Sequence, residues 1–145
     1  MSIFISYARE DKDFADELFQ RTNAAGLDPW MDKPPPPFEA QGLLPGERWK
    51  ERIESEIRRA ARVILLCSRI SIAKVGFVQN EFRWALHIMN SMPADRRFAI
   101  PLSIDDSDPP NLVVGTISIS DLNWLRFSDY KMDGTVRLLK ADLGL

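Results

Sequence analysis

The chain has one cysteine, one histidine, no excess of positive charge and no long hydrophobic run. Each shortage closes off a class of function. A lone Cys67 cannot form an internal disulfide; it ends an apolar stretch and reads as small core filler in a reducing compartment. His87 has no Cys or His companion, so no metal centre is expected, and it reads as a helix-surface residue. A net charge of -2 lacks the basic surplus or stripe of a nucleic-acid surface, so no nucleic-acid partner is expected. No apolar run approaches the length of a membrane span, and Met1-Ser2-Ile3 leads directly into a strand. Neither a membrane segment nor a signal peptide is therefore expected, and a cytoplasmic location follows. There is no internal repeat.

What is present suits one soluble globular domain, residues 1–145, long enough for a substantial core. Strands and helices alternate. Ile3-Phe4-Ile5-Ser6 reads as a strand, and a helix follows from about Lys12 to Ala25, with Phe14, Ala15, Leu18, Phe19 and Thr22 at helical spacing and Gly26 as its stop signal. Leu27–Met31 is a second strand, placed near a sheet edge by Pro29. Asp32–Glu47 is the one long irregular segment and holds five of the ten prolines. Trp49–Ala61 reads as a helix with Trp49, Ile53, Ile57 and Ala60 on one stripe. Arg62–Cys67 is a third strand, Phe77–Ser91 a helix, and Phe98–Ile104 a fourth strand. The loop-rich 105–121 segment, with room for a helical turn, leads to a fifth strand at Leu122–Phe127. Thr135–Leu143 is the closing helix.

Strands separated by helices of about a dozen residues imply βαβ units and a parallel sheet covered on both faces. The rhythm predicts an α/β, flavodoxin-like doubly wound sheet of five parallel strands in the order 2-1-3-4-5. Ligands bind such sheets outside the carboxyl ends of the strands, where the order reverses. That rule gathers Ser6–Asp11, the proline-rich loop, the segment 68–76 and the start of the Phe77–Ser91 helix at one rim.

One stretch on that rim carries chemistry. In Gly76-Phe77-Val78-Gln79-Asn80-Glu81-Phe82-Arg83-Trp84-Ala85-Leu86, residues Val78, Phe82, Ala85, Leu86 and Met89 share a helix face and read as core. Phe77, Glu81, Trp84 and Ile88 run down the neighbouring stripe. Glu81 thus stands at the border of the buried face, where partial desolvation raises a carboxyl's pKa and readies it for chemistry. The pattern alone also describes a rim glutamate whose stem packs while its head stays wet.

Four segments resemble a known family. Phe4-Ile5-Ser6-Tyr7, followed by Arg9, Asp11 and Lys12, resembles the first box of TIR (Toll/interleukin-1 receptor) domains. Leu44-Pro45-Gly46-Glu47-Arg48-Trp49 is similar to the end of their long loop after the second strand. Val63-Ile64-Leu65-Leu66-Cys67-Ser68 is similar to their third strand and its serine. Gly76-Phe77-Val78-Gln79-Asn80-Glu81 resembles the segment that supplies the catalytic glutamate in bacterial TIR domains that cleave NAD+. The resemblance covers essentially the whole chain. It implies an NAD+ glycohydrolase with Glu81 as the catalytic carboxylate and Ser6, Tyr7, Arg9, Trp49, Ser68 and Phe77 around the substrate. It implies no cofactor and no metal, NAD+ being the substrate, and partners in the form of TIR–TIR self-association and a regulatory domain or protein. Antiphage defence or a toxin-like response is the corresponding role.

The chemistry is consistent with these residues. Breaking the nicotinamide–ribose bond expels a neutral leaving group from a pyridinium, so no general acid is required. One carboxylate beside the ribose can stabilise the oxocarbenium-like transition state. Faces of Tyr7, Trp49 or Phe77 suit flat rings, and Arg9 suits the pyrophosphate, although Arg9 also reads as a solvated loop residue and Trp49 as a core residue. Two features depart from the family pattern. Pro34-Pro35-Pro36-Pro37 predicts a longer, stiffer, extended loop. Phe77 stands where many active relatives carry tryptophan, which leaves a linear or a cyclised ADP-ribose product open. The alternative function is a non-enzymatic adaptor that works by self-association. A phosphoacceptor receiver of the same strand order would need an aspartate at the end of the third strand, where this chain has Cys67-Ser68. A nucleoside-processing hydrolase with one glutamate at a ribose is a further, minor reading.

Overall fold

The computed structural model describes residues 2–73 and 77–145, with side chains at 77–79 outside the description. Five strands form a parallel sheet in the order β2-β1-β3-β4-β7, and the expected doubly wound topology is present. They are β1 (Ser2–Ser6), β2 (Asp28–Trp30), β3 (Arg62–Cys67), β4 (Ala99–Ser103) and β7 (Leu125–Arg126). A separate two-stranded ribbon pairs β5 (Val113–Val114) with β6 (Ile117–Ser118). The helices are α1 (Lys12–Ala24), α2 (Trp49–Arg59), the short α3 (Arg69–Ala73), α4 (Phe77–Asn90) and α5 (Phe127–Asp142).

Alternation along the central strands builds two cores. Phe4, Val63, Leu65 and Cys67 face Ile53 and Ile57 of α2 and Phe82, Ala85 and Leu86 of α4. Ile3, Ile5, Ile64 and Leu66 face Leu18 and Phe19 of α1 and Val136 and Leu139 of α5. Each fully buried side chain of this size contributes roughly 1.5–3 kcal/mol relative to exposure, and both faces of β1 and β3 are sealed. Helix α1 stops as its glycine predicts. Gly26 adopts φ +87°, its N–H reaches the Asn23 carbonyl (3.2 Å) and the Leu27 N–H reaches that of Thr22 (3.0 Å), a Schellman closure.

Several expectations need correction. Trp49, the first residue of α2, leaves the stripe that Ile53, Ile57 and Ala60 bury and is 46% exposed. The fifth strand shrinks from Leu122–Phe127 to β7. The Leu122 N–H is spent on Ile119 in a 3-10 turn, and Pro101, level with Trp124 on β4, has no N–H to give. The ribbon β5–β6 and α3 were not anticipated. Helix α5 begins at Phe127 rather than Thr135, with a break at Lys131 (φ 57°); the Phe127 ring meets Phe14 of α1 edge-on at 4.8 Å. The prolines do not form an extended rod. The Phe38 N–H turns back to the Pro35 carbonyl (2.8 Å), a 3-10 turn follows at Glu39–Gln41, and Phe38 packs on Phe19 at 5.4 Å. Pro34 and Pro35 are buried, so burial sets the path of the loop.

Candidate active site

The carboxyl end of the sheet brings together most of the residues singled out from the sequence. Ser6 ends β1 and is fully buried. Its hydroxyl donates to Oε2 of Glu81, which stands one turn into α4 and is 5% exposed. Of the expected core face, Phe82, Ala85 and Leu86 are buried and Met89 is half-buried, while Val78 lies outside the described side chains; Glu81, half-buried Trp84 and Ile88 follow the adjoining stripe. Burial raises the Glu81 carboxyl to about 8, the Ser6 hydroxyl lowers it in part, and the negative charge of Asp32 adds to the rise. The carboxyl is therefore a desolvated group, not a wet rim glutamate.

Tyr7 follows on the same strand end. Its hydroxyl donates to Oδ1 of Asp32 at 2.6 Å. Burial first, then this hydrogen bond and the Asp32 charge, push the phenol above its ordinary range. Asp32 was not among the residues singled out from the sequence, because its place depends on strand pairing. The β1–β2 register pairs Phe4 with Trp30, and two further steps along both chains set Asp32 level with Ser6.

Ser68 is also at this rim, in a capping arrangement. Its hydroxyl donates to Oδ2 of Asp11 (2.7 Å) and accepts the Ser71 N–H (3.1 Å), while its own N–H meets Ser71 Oγ (2.8 Å). The serine thus starts α3 and ties it to the 3-10 turn Arg9–Asp11. Arg9 in that turn is exposed, its guanidinium open to an anion from solvent. Trp49 presents its ring outward with the Lys50 ammonium 5.4 Å from its centroid. Phe77 opens α4, and its side chain, with Gly76, lies outside the described residues. Cys67 is buried and its thiol is pushed up to about 12, chiefly by burial, which suits core filler rather than a nucleophile.

The far end of the proline loop is fixed by charge. Glu47 accepts the Leu44 N–H (3.0 Å) and both bonds from the Arg52 guanidinium (2.8 Å each), and these hold its carboxyl below the usual range. Arg52 also meets Glu56 (3.0 Å) and lies 5.6 Å from the Trp30 ring centroid. Among the described residues no group of His, Cys, Asp and Glu could hold a metal ion, and no helix is long and apolar enough to cross a membrane.

Comparison with known proteins agrees with this layout. Residues 3–139 match the profile of the family described as TIR domain. The chain is 38% identical over 80 residues to an uncharacterized protein, y4cD, of Sinorhizobium fredii; the match takes in 48% of this chain and only 12% of that protein. Among solved structures it is similar to the TIR domain of the Toll-related receptor TRR-2 from Hydra magnipapillata, with a TM-score of 0.65, 19% identity and coverage of 99% of this chain and 98% of that one. A prokaryotic SEFIR domain is similar at a TM-score of 0.55 and 18% identity, covering 97% of this chain and 90% of the other. At these identities the likeness to solved structures speaks for the fold alone. With a profile match that runs from the first strand into the last helix, this chain belongs to the TIR domain family.

Proposed function

We propose that the chain is a TIR-type NAD+ nucleosidase, cleaving the nicotinamide–ribose bond to release nicotinamide and linear or cyclised ADP-ribose. The observation that carries this reading is Glu81: a desolvated carboxyl, hydrogen-bonded to Ser6, at the strand rim where doubly wound sheets take their ligands. In the reaction the C1′–N bond breaks and its electron pair stays on nitrogen, giving neutral nicotinamide. The ionised Glu81 stabilises the positive charge left on the ribose. Water then adds at C1′ and loses a proton, or an adenine nitrogen adds to close a ring. The exposed Arg9 is the group to meet the pyrophosphate, and the outward ring of Trp49, with Tyr7 and Phe77, would hold the flat bases.

Because the carboxyl lies beneath the surface, turnover requires the rim to open, and assembly with other copies is the natural trigger. NAD+ and further copies of the chain are thus the proposed partners, in the cytoplasm, in a defence or toxin-like role. Incubation of purified protein with NAD+, followed by chromatography for nicotinamide and ADP-ribose, tests the reading; absence of both products at high protein concentration rejects it. A second reading, a non-enzymatic adaptor, is favoured by the exposed apolar surface of Leu44 and Trp49 at 47% and 46%. It predicts assembly without any consumption of NAD+.

A further inference from the structure

Three features converge on Asp32, two residues beyond the end of the edge strand at Trp30. Its side chain takes the Tyr7 hydroxyl at 2.6 Å. Its backbone carbonyl takes the Leu43 N–H at 2.9 Å, which closes the loop from 32 to 43 at its base. At the same point Gly42 lies so close that a Cβ there would stand 2.4 Å from the Asp32 oxygen and 2.4 Å from Pro34 Cδ. Side chain and backbone of a single residue therefore hold the strand end and the loop together, and the glycine makes the approach possible. Tyr7 in turn is the immediate neighbour of Ser6, which holds Glu81.

We infer that Asp32 is a positioning residue of the proposed NAD+ site, a clasp that fixes the Tyr7 ring and the base of the 32–43 loop as one wall of the cleft beside Glu81. This rests on the NAD+ reading of the site. Tyr7 is half-buried and packs on the core through its ring, so the hydroxyl bond sets the ring's orientation rather than its burial. A wall of that kind contributes to binding in the ground state and the transition state alike. Its loss raises KM and leaves kcat in place. Asp32 makes its contact with Tyr7, and its charge reaches Glu81 at a distance, an influence that measurement at pH 9 removes.

The test compares kinetic constants of the full chain with those of Tyr7→Phe, Asp32→Ala, Asp32→Asn and the Tyr7→Phe/Asp32→Ala pair. Measurement at pH 9 keeps Glu81 mostly ionised in all of them. Loss of one partner of the bond should raise KM about three- to tenfold, with kcat within about twofold. The double variant should be no worse than the weaker single one, since both remove the same bond. Asp32→Asn should stay near the parent, because its amide oxygen still accepts the phenol. An unchanged KM in Tyr7→Phe, multiplying effects in the pair, or Asp32→Asn as impaired as Asp32→Ala would overturn the clasp. If Asp32→Ala does not fold, Tyr7→Phe and Asp32→Asn alone decide between these outcomes.

Failure of the parent to cleave NAD+ rejects the enzymatic reading, and limited proteolysis then tests the clasp by itself. Cleavage within 32–43 should be faster in Tyr7→Phe than in the parent and in Asp32→Asn. Equal cleavage rates would overturn it.

Discussion

Glu81 is subject to two opposed demands. The proposed catalysis would need its negative charge close to the ribose, and burial disfavours that charge. With the carboxyl raised to about 8, roughly a tenth is ionised at pH 7. NAD+ turnover should therefore rise with pH through about 8 and level off above it, as a pH–rate profile will show. Glu81→Gln removes the charge at constant size and should lower turnover by at least a hundredfold, while circular dichroism stays unchanged. Stability responds with the opposite sign. In the unfolded chain the group titrates near its ordinary value of 4.5, so between there and about 8 the folded state binds more protons. Stability should fall as pH rises through that window in the parent and stay flatter in Glu81→Gln, where the group no longer titrates. Thermal melts of the two proteins from pH 5 to 9 check this; parallel curves would mean that the carboxyl is ionised in the fold throughout. Arg9 makes a different demand, since an exposed guanidinium that meets the pyrophosphate acts in the ground state. Arg9→Ala should raise KM for NAD+ several-fold with little change in kcat, and identical constants would mark it as a solvated loop residue.

Elements that were legible in the sequence share one trait: their signal is local. The apolar periods of α1, α2 and α4, and the runs that became β1 and β3, state their own burial, and Gly26 states where α1 ends. The Glu81 stripe was legible for the same reason. What escaped depends on partners far along the chain. Asp32 matters because β1 and β2 align it with Ser6, and Ser68 caps α3 because Asp11 waits 57 residues away. The ribbon β5–β6 is another such case. Its two short strands have no core of their own, and Asn90 at the end of α4 ties them down. Its Nδ2 donates to the carbonyls of Val114 (2.6 Å) and Leu86 (3.0 Å), and its Oδ1 accepts from the Thr116 N–H (3.3 Å) and hydroxyl (3.2 Å). Gly115 bends beneath it at φ 61°, where an added Cβ would stand 2.8 Å from Asn90 Oδ1. Asn90→Ala should cost about 1–2 kcal/mol in chemical denaturation. Turnover should stay unchanged, because Asn90 closes α4 at the end opposite to Glu81. A drop in kcat would show that the ribbon communicates with Glu81.

At the scale of the whole molecule the sheet order was legible and the course of the proline loop was not, and that loop is the surface through which the proposed assembly would run. Consecutive prolines predicted a stiff, extended loop. Instead Pro34 and Pro35 are buried, Phe38 folds onto Phe19, and Asp32 and Glu47 fasten the two ends. The result is a preorganised surface, with Leu44 and Trp49 at 47% and 46% exposure beside it, and ordering such a loop costs little at the moment of association. A contact from this edge to a different face of the next copy is heterologous, and if it does not close it forms an open array. The rim of one copy would then be opened or completed by its neighbour, which accounts for a buried Glu81 in the single chain. Specific activity should accordingly rise with protein concentration, in step with the mass seen by light scattering. Leu44→Asp places a charge on an exposed side chain without touching either core, so the fold should survive while assembly and the concentration-dependent activity are lost together. Constant specific activity from dilute to concentrated protein, at a monomeric mass throughout, would remove assembly from the mechanism and leave opening of the rim to NAD+ itself.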